Sequence, residues 1–241
     1  MKTLLLTFFL FIPLTTQAEA RLGVIGAISE SIYKDTDSNS ALLPNIAYAG
    51  EHAYLRFPEI GYRFFPKHSL QNIAVGLSYE SIKFDPDDSD DTSIRLLNDR
   101  DDSIMAFANY RLGPVSAKLA QDISGKHDGY YIKVSAGYPI PAGAWKVIPS
   151  ISYQYMNSKM SNHLFGVSKA ESAKTGGSIS AYETGPIYKM QYGIRGIYPL
   201  SRNITFVIGV SYTKYDDQIL KSPIVTDNTI TSLLTGINYS F

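Results

Sequence analysis

The stretch from Thr229 to Phe241 constrains the fold more than any other. Leu233, Ile237, Tyr239 and Phe241 fall on alternate positions with Thr231 and Thr235 completing their row, while Ser232, Gly236, Asn238 and Ser240 occupy the other row. Side chains of a strand alternate between its faces, so one face here is apolar and the opposite one small or polar. In a water-soluble sandwich the apolar face needs a second sheet or a layer of helices to cover it, and the pattern supplies neither. A closed barrel with its apolar face toward lipid and its polar face toward a lumen satisfies the same rhythm.

The rhythm recurs upstream. Ile73, Val75, Leu77 and Tyr79 oppose Asn72, Ala74, Gly76, Ser78 and Glu80, and Ile204, Phe206, Ile208, Val210 and Tyr212 oppose Thr205, Val207, Gly209, Ser211 and Thr213. Connections that follow residues 84, 157 and 216 are long, those around 67, 113, 141 and 201 are short, and one near 126 is intermediate. Short turns sorted to one end and long loops to the other are the asymmetry of outer-membrane barrels, with turns in the periplasm and loops outside. The fold predicted is therefore all-β, a transmembrane antiparallel up-and-down barrel. Its strand number depends on His52 to Phe65: divided at Pro58 this segment brings the total to twelve, the expected number, and counted as an excursion beyond the membrane it leaves ten.

The amino terminus supplies the address. Lys2, the apolar run Leu4 to Leu14 and Ala18-Glu19-Ala20 read as a secretory signal peptide, cleaved after Ala18 or Ala20. The run is interrupted by Pro13 and too short to cross a bilayer core of about 30 Å. The predicted organisation is a leader over residues 1–20 and one barrel over 21–241. With no cysteine, disulfides and thiolate metal sites are excluded, and 22 basic against 22 acidic residues leave no excess for a nucleic-acid partner. The aspartate-rich segment Phe84 to Asp102 lacks the central glycine and terminal glutamate of a calcium loop, so it reads as a solvated loop. No metal or cofactor is predicted.

The row opposite the apolar one carries Glu80, Arg111, Lys118, Asp122, Lys133, Lys146, Lys189 and Arg195 as candidate lumen-facing residues. Their basic excess would favour anions in a conducting lumen. Cross-paired, the same side chains would fill it. Catalysis would need a positioned base, and the histidines are His52, His68, His127 and His163. His127 is close in sequence to Asp122 and Asp128, and His163 to Ser161 and Ser168, but no GxSxG or HExxH motif accompanies them. The chain is expected not to be an enzyme.

Ser168-x-x-Glu171 has the spacing of a capping box, and Gly176-Gly177 would end the short helix it opens. Leu97-Asn98-Asp99-Arg100-Asp101-Asp102-Ser103, Phe165-Gly166-Val167-Ser168 followed by Glu171-Ser172-Ala173 and Gly176, and Ser222-Pro223-Ile224-Val225 resemble, in that order, loop motifs of the MipA/OmpV family, the MltA-interacting proteins of the bacterial outer membrane. Leu43-Pro44 and Gly50-Glu51 resemble that family's first hairpin, and the terminal Phe241 resembles the closing aromatic of outer-membrane barrels. The sequence departs from the family at Pro58-Glu59-Ile60, where glycine is common. The resemblance marks Asp99, Arg100, Phe165, Gly166, Val167, Ser168, Ser222 and Pro223. It implies a non-catalytic barrel in outer-membrane lipid, a scaffold for murein (peptidoglycan) enzymes that brings a lytic transglycosylase together with a bifunctional penicillin-binding protein. Such partners would reach the turns at Pro66–Asn72, Gly113, Pro139–Ala144 and Ser201–Asn203. A small-solute channel or a surface adhesin or receptor is the alternative.

Overall fold

The alternation of the last strand continues around the molecule as one antiparallel sheet closed on itself, in a computed structural model that describes residues 19–81 and 84–241. The expected leader lies outside the described residues except for Glu19 and Ala20, which begin the first strand. The strands are β1 (Glu19–Ser29), β2 (Asn39–Ala49), β3 (Ala53–Arg56), β4 (Glu59–Arg63), β5 (Gln71–Glu80), β6 (Ser103–Leu112) and β7 (Val115–Asp122). They continue as β8 (Tyr130–Gly137), β9 (Ile140–Ala142), β10 (Trp145–Met156), β11 (Ile187–Pro199), β12 (Ile204–Tyr215) and β13 (Thr229–Ser240). Each except β8 neighbours the next in sequence, and β1 pairs with β13 from Arg21↔Ser240 to Ser29↔Ser232 to close the wall.

β8 and β9 both pair with β10 and form one wall strand broken at Tyr138-Pro139, so the barrel has twelve strands. The division at Pro58 is real: the chain turns at Phe57-Pro58, and β3 and β4 run antiparallel from Ala53↔Tyr62 to Arg56↔Glu59. They hold only 4 and 5 residues, short of the ~9–11 a membrane crossing needs, and their hairpin stops part-way up the wall.

Exposure settles which face looks where. Ile237 is 54% exposed and Asn238 5%, an inside-out order that only a lipid-facing wall makes favourable. One end of the barrel carries the start of β1, the carboxyl-terminal Phe241 and the short turns; the other carries the long connections 30–38, 84–102, 123–129, 157–186 and 216–228. By the loop asymmetry, that second end is external. The buried apolar cluster lies there, with Tyr33, Phe84, Ile94, Leu97, Phe165, Val167, Ile219 and Ile224 contributed by loops, above Met105, Phe107 and Met156 from strands.

Two helices build this roof. α1 (Ser158–Phe165), which periodicity did not reveal, starts where the Asn157 side chain accepts from the Met160 N–H at 3.2 Å. α2 (Lys169–Lys174) opens with the expected capping box between Ser168 and Glu171. It ends at Gly176 and Gly177, whose φ of +63° and +86° suit glycine.

Candidate functional site

The motif loops, far apart in sequence, meet in the roof. Arg100 donates through Nη1 to Glu171 Oε1 at 2.7 Å and through Nη2 to the Gly166 carbonyl at 2.8 Å, with its guanidinium 5.3 Å from the Phe84 ring centroid. Both members of the pair are buried. Burial alone would raise the Glu171 carboxyl; the Arg100 hydrogen bond and those from Ser168 overcome it and hold the group at about 2. Ser222 Oγ donates to the Phe165 carbonyl at 2.6 Å, so the third motif loop closes on the second. A side chain at Gly166 would put its Cβ 2.5 Å from the Asn162 carbonyl oxygen, which is why glycine ends α1 here. Val167 pairs with Tyr182, Pro223 is half-buried in the same roof, and Asp99 is exposed on its rim.

The first external loop joins this roof through residues that no pattern marked. Tyr33 stacks near Phe165 and donates to the Leu164 carbonyl at 3.2 Å. Its burial pushes the phenol up. Lys34 bonds Asp91 at 2.8 Å; that hydrogen bond raises the ammonium and lowers the carboxyl. Thr36 bridges Ser89, tying loop 30–38 to loop 84–102.

Beneath the roof is a cavity of ≈ 520 Å³ that brings together three of the candidate residues' ammonium groups, from Lys118, Lys133 and Lys189, with Glu80. Lys118 reaches over the Phe107 ring at 4.4 Å to bond Glu59 at 2.6 Å. Glu80 accepts from the Tyr131 hydroxyl at 3.0 Å. A second cavity, of ≈ 380 Å³, lies at the periplasmic end and is lined by Arg21, Arg56, Arg63, Lys67 and Arg111 with Glu19. Arg111 donates to the Ser69 carbonyl at 2.9 Å. Lys146 and Arg195 lie on the inner row at this same end, exposed at the mouth.

Asp122 departs from its lumen-facing expectation. Its carboxylate accepts from the N–H groups of Ser124, His127 and Asp128 and from Ser124 Oγ, all within 2.9 Å. It is consumed by the connection to β8, where an acceptor for successive backbone donors stabilises the turn. Glu59, Arg63 and Lys67 were missed because they sit in the short hairpin and turn, where alternation is too brief to assign a face.

The histidines sharpen the question of catalysis. His127 Nε2 lies 3.3 Å from Ser103 Oγ, and its Nδ1 lies 3.9 Å from Asp122. Yet the Gly129 N–H donates to Nδ1 at 2.9 Å, which places the neutral ring's proton on Nε2 and makes the ring a donor to Ser103. A ring in that state cannot take the serine proton. Burial lowers the pKa of the His127 imidazolium against the pull of Asp122, which keeps the ring neutral. His163 bonds the Asp101 carbonyl at 3.0 Å. Among the described residues no cluster of potential metal ligands forms.

A family model described as "MltA-interacting protein MipA" matches residues 22–241. The chain is 25% identical over 224 residues to the MltA-interacting protein of Escherichia coli (strain K12), covering 91% of this chain and 89% of that one. It is 26% identical over 214 residues to outer membrane protein OmpV of Vibrio cholerae, covering 87% and 80%. Among solved structures, an outer membrane channel from Pseudomonas putida F1 aligns over 93% of this chain and 95% of its own, with 10% identity and a TM-score of 0.43.

Proposed function

The chain belongs to the MipA family of MltA-interacting proteins and is a β-barrel of the outer membrane, and from that premise we propose that it is a docking platform for periplasmic enzymes of murein synthesis and remodelling. A lytic transglycosylase and a bifunctional penicillin-binding protein are the partners, and the barrel itself performs no chemistry. The observation that carries this reading is the contrast between the two ends. The external end is roofed by a packed apolar core, whereas the periplasmic end opens on five cationic side chains, Arg21, Arg56, Arg63, Lys67 and Arg111. Glu19, which pairs with Arg21 at 3.5 Å and Lys67 at 3.3 Å, lies within the expected leader. Its removal on processing after Ala20 leaves the mouth more basic. A mouth of one sign attracts an acidic segment of a partner and makes association salt-dependent.

Binding of the purified enzymes to the barrel in nanodiscs tests it. The expected result is an affinity that falls with ionic strength and drops roughly tenfold or more when Arg63→Glu and Lys67→Glu are combined. Absence of binding by either enzyme, or binding indifferent to the double reversal, removes the reading.

An axial pore is the competing role, and the roof opposes it. Planar-bilayer recordings are expected to stay at background, and Lys189→Glu to leave them there. Conductance whose ion selectivity changes with Lys189→Glu would replace the platform with a channel.

A further inference from the structure

The wall is not continuous. β2 pairs along its whole length with β1, from Ala49 to Asn39, but on its other side it pairs with β3 only through Ala47–Ala49, extended by the Phe57 N–H donating to the Ile46 carbonyl. Backbone groups alternate sides along a strand, so those of Pro44, Leu42 and Ser40 point the same way as those of Ile46, toward the missing neighbour. Among the described residues none of the three has a backbone partner there. Proline at position 44 removes one N–H from this edge, the residue choice of a strand that ends a sheet. Across the opening, β4 follows β5 only as far as Tyr79, whose N–H donates to the Pro58 carbonyl, and Glu80 and Ser81 run on without a β4 partner.

The opening is framed. Its sill is the hairpin tip Phe57-Pro58, its sides are β2 and the end of β5, and its lintel is the Thr36–Ser89 bridge with the Lys34–Asp91 pair. Asn39 on one side and Pro58 and Glu59 on the sill also line the upper cavity, so the opening leads into it. Open strand edges are not stable against hydrocarbon unless they line a polar or occupied cavity.

The cavity's polar groups are unequally satisfied. Its carboxylates have donors: Glu30 from the Thr231 N–H at 2.7 Å, Glu59 from Lys118, and Glu80 from Tyr131. Among the described residues the ammonium groups of Lys133 and Lys189 have no hydrogen-bond acceptor or carboxylate partner, and Lys189 has only the Tyr215 ring at 5.4 Å. Both lysines stand on β8 and β11, across the lumen from the opening. The rest of the lining includes Met156, Met160, Leu164, Phe165 and Ile230. Beside the opening, the inner faces of β1, β2 and β13 carry an apolar patch, where Ile25 faces Leu43 and Ala27 faces Leu234 in register. Leu43 is 46% exposed although it points inward.

We propose that this opening is a lateral portal and the upper cavity a binding site for a single-chain amphipathic anion drawn from the outer leaflet, its carboxylate or phosphate head held by Lys133 and Lys189 and its acyl chain laid along the apolar lining toward the portal. The cavity, ≈ 520 Å³, falls within the ~300–1,000 Å³ of small-molecule sites and admits one chain rather than a two-chain lipid. The site does not depend on docking at the periplasmic mouth.

The experiment uses the folded barrel in phosphatidylcholine nanodiscs with two probes, dodecanoate and a single-chain lysophosphatidate, each also made with a diazirine at the chain end. Saturable binding is expected, weakened roughly tenfold or more by Lys133→Gln with Lys189→Gln, which removes two charge-assisted contacts from a wet lumen and leaves the backbone pairing of the wall in place. Crosslinks are expected at Leu42, Leu43 or Phe57. Preference for one probe identifies the head as carboxylate or phosphate. Equal binding of dodecanol, affinity unchanged in the double variant, or crosslinks confined to the lipid-facing wall away from the portal would each overturn the proposal. So would a disulfide between two copies of the otherwise cysteine-free chain carrying Leu42→Cys, because the β2 edge would then be paired with its own counterpart. Heat-modifiable migration of every variant verifies the barrel.

Discussion

Replacing Arg100 with alanine is expected to open the external roof while leaving the barrel standing. The substitution strands the Glu171 carboxylate in a buried site and removes the donors to the Gly166 and Asn98 carbonyls. Breaking one partner of a buried pair costs about 3–5 kcal/mol, because the remaining charge has lost its counterion and water does not replace it. The strands make no comparable use of Arg100, so heat-modifiability in a gel should persist. Limited proteolysis from the external side should instead find faster cleavage in residues 97–103 and 165–176 than in the parent. Arg100→Lys restores the charge but not the fork that serves Glu171 and Gly166 together, and should recover only part of the protection. Unchanged protease resistance in Arg100→Ala would mean that the apolar cluster around Phe165 and Ile224 holds the roof without the ion pair.

Why some of this was legible in the chain and some was not follows from the range of the forces involved. The wall was readable because lipid on one side and a lumen on the other impose a two-residue period on every long strand, and Ile237 beside Asn238 is enough to show it. The hairpin at Phe57-Pro58 was readable only as a break. Its strands are too short for alternation to declare a face, so Glu59 and Arg63 were not assigned to the lumen. The motif words around Arg100, Phe165 and Ser222 were recognisable as strings, but their meaning is tertiary. Nothing local tells Arg100 that its partner stands at position 171. Asp122 misled for the opposite reason: its parity places it inward, and the turn after it offers backbone donors that parity does not count. The missing neighbour of β2 could have been suspected from Pro44, an edge residue inside an otherwise regular strand.

Acidification should loosen the same roof, and the sign follows from its titrating groups. Glu171 stands at about 2 in the folded protein against an ordinary 4.5, so its pairing stabilises the fold fully above pH 4.5. That contribution declines as the pH falls below 4.5 and is gone once it passes about 2. Asp91, held low by its hydrogen bond to Lys34, and Asp227, held low by Thr229, act in the same direction over the same acid range. His127 acts earlier. Burial keeps it neutral, so the unfolded chain takes up a proton below its ordinary value of 6.5 that the folded chain resists, and stability begins to erode there. Lys34 has the reverse sign: its raised ammonium favours the fold below its ordinary 10.5 and ceases to do so in strong alkali. Protease protection of the external loops, followed from pH 7 to pH 3 with an acid-active protease at the low end, is expected to show a shallow loss below pH 6.5 and a steep one below pH 4.5. In Arg100→Ala the steep step should shrink, because Glu171 loses the Arg100 hydrogen bond and keeps those from Ser168, while Asp91 and Asp227 still contribute. The shallow step, which belongs to His127, should survive. A steep step of undiminished size in the variant would place the acid-sensitive contact elsewhere in the roof, with Asp91 and Lys34 the pair to replace next.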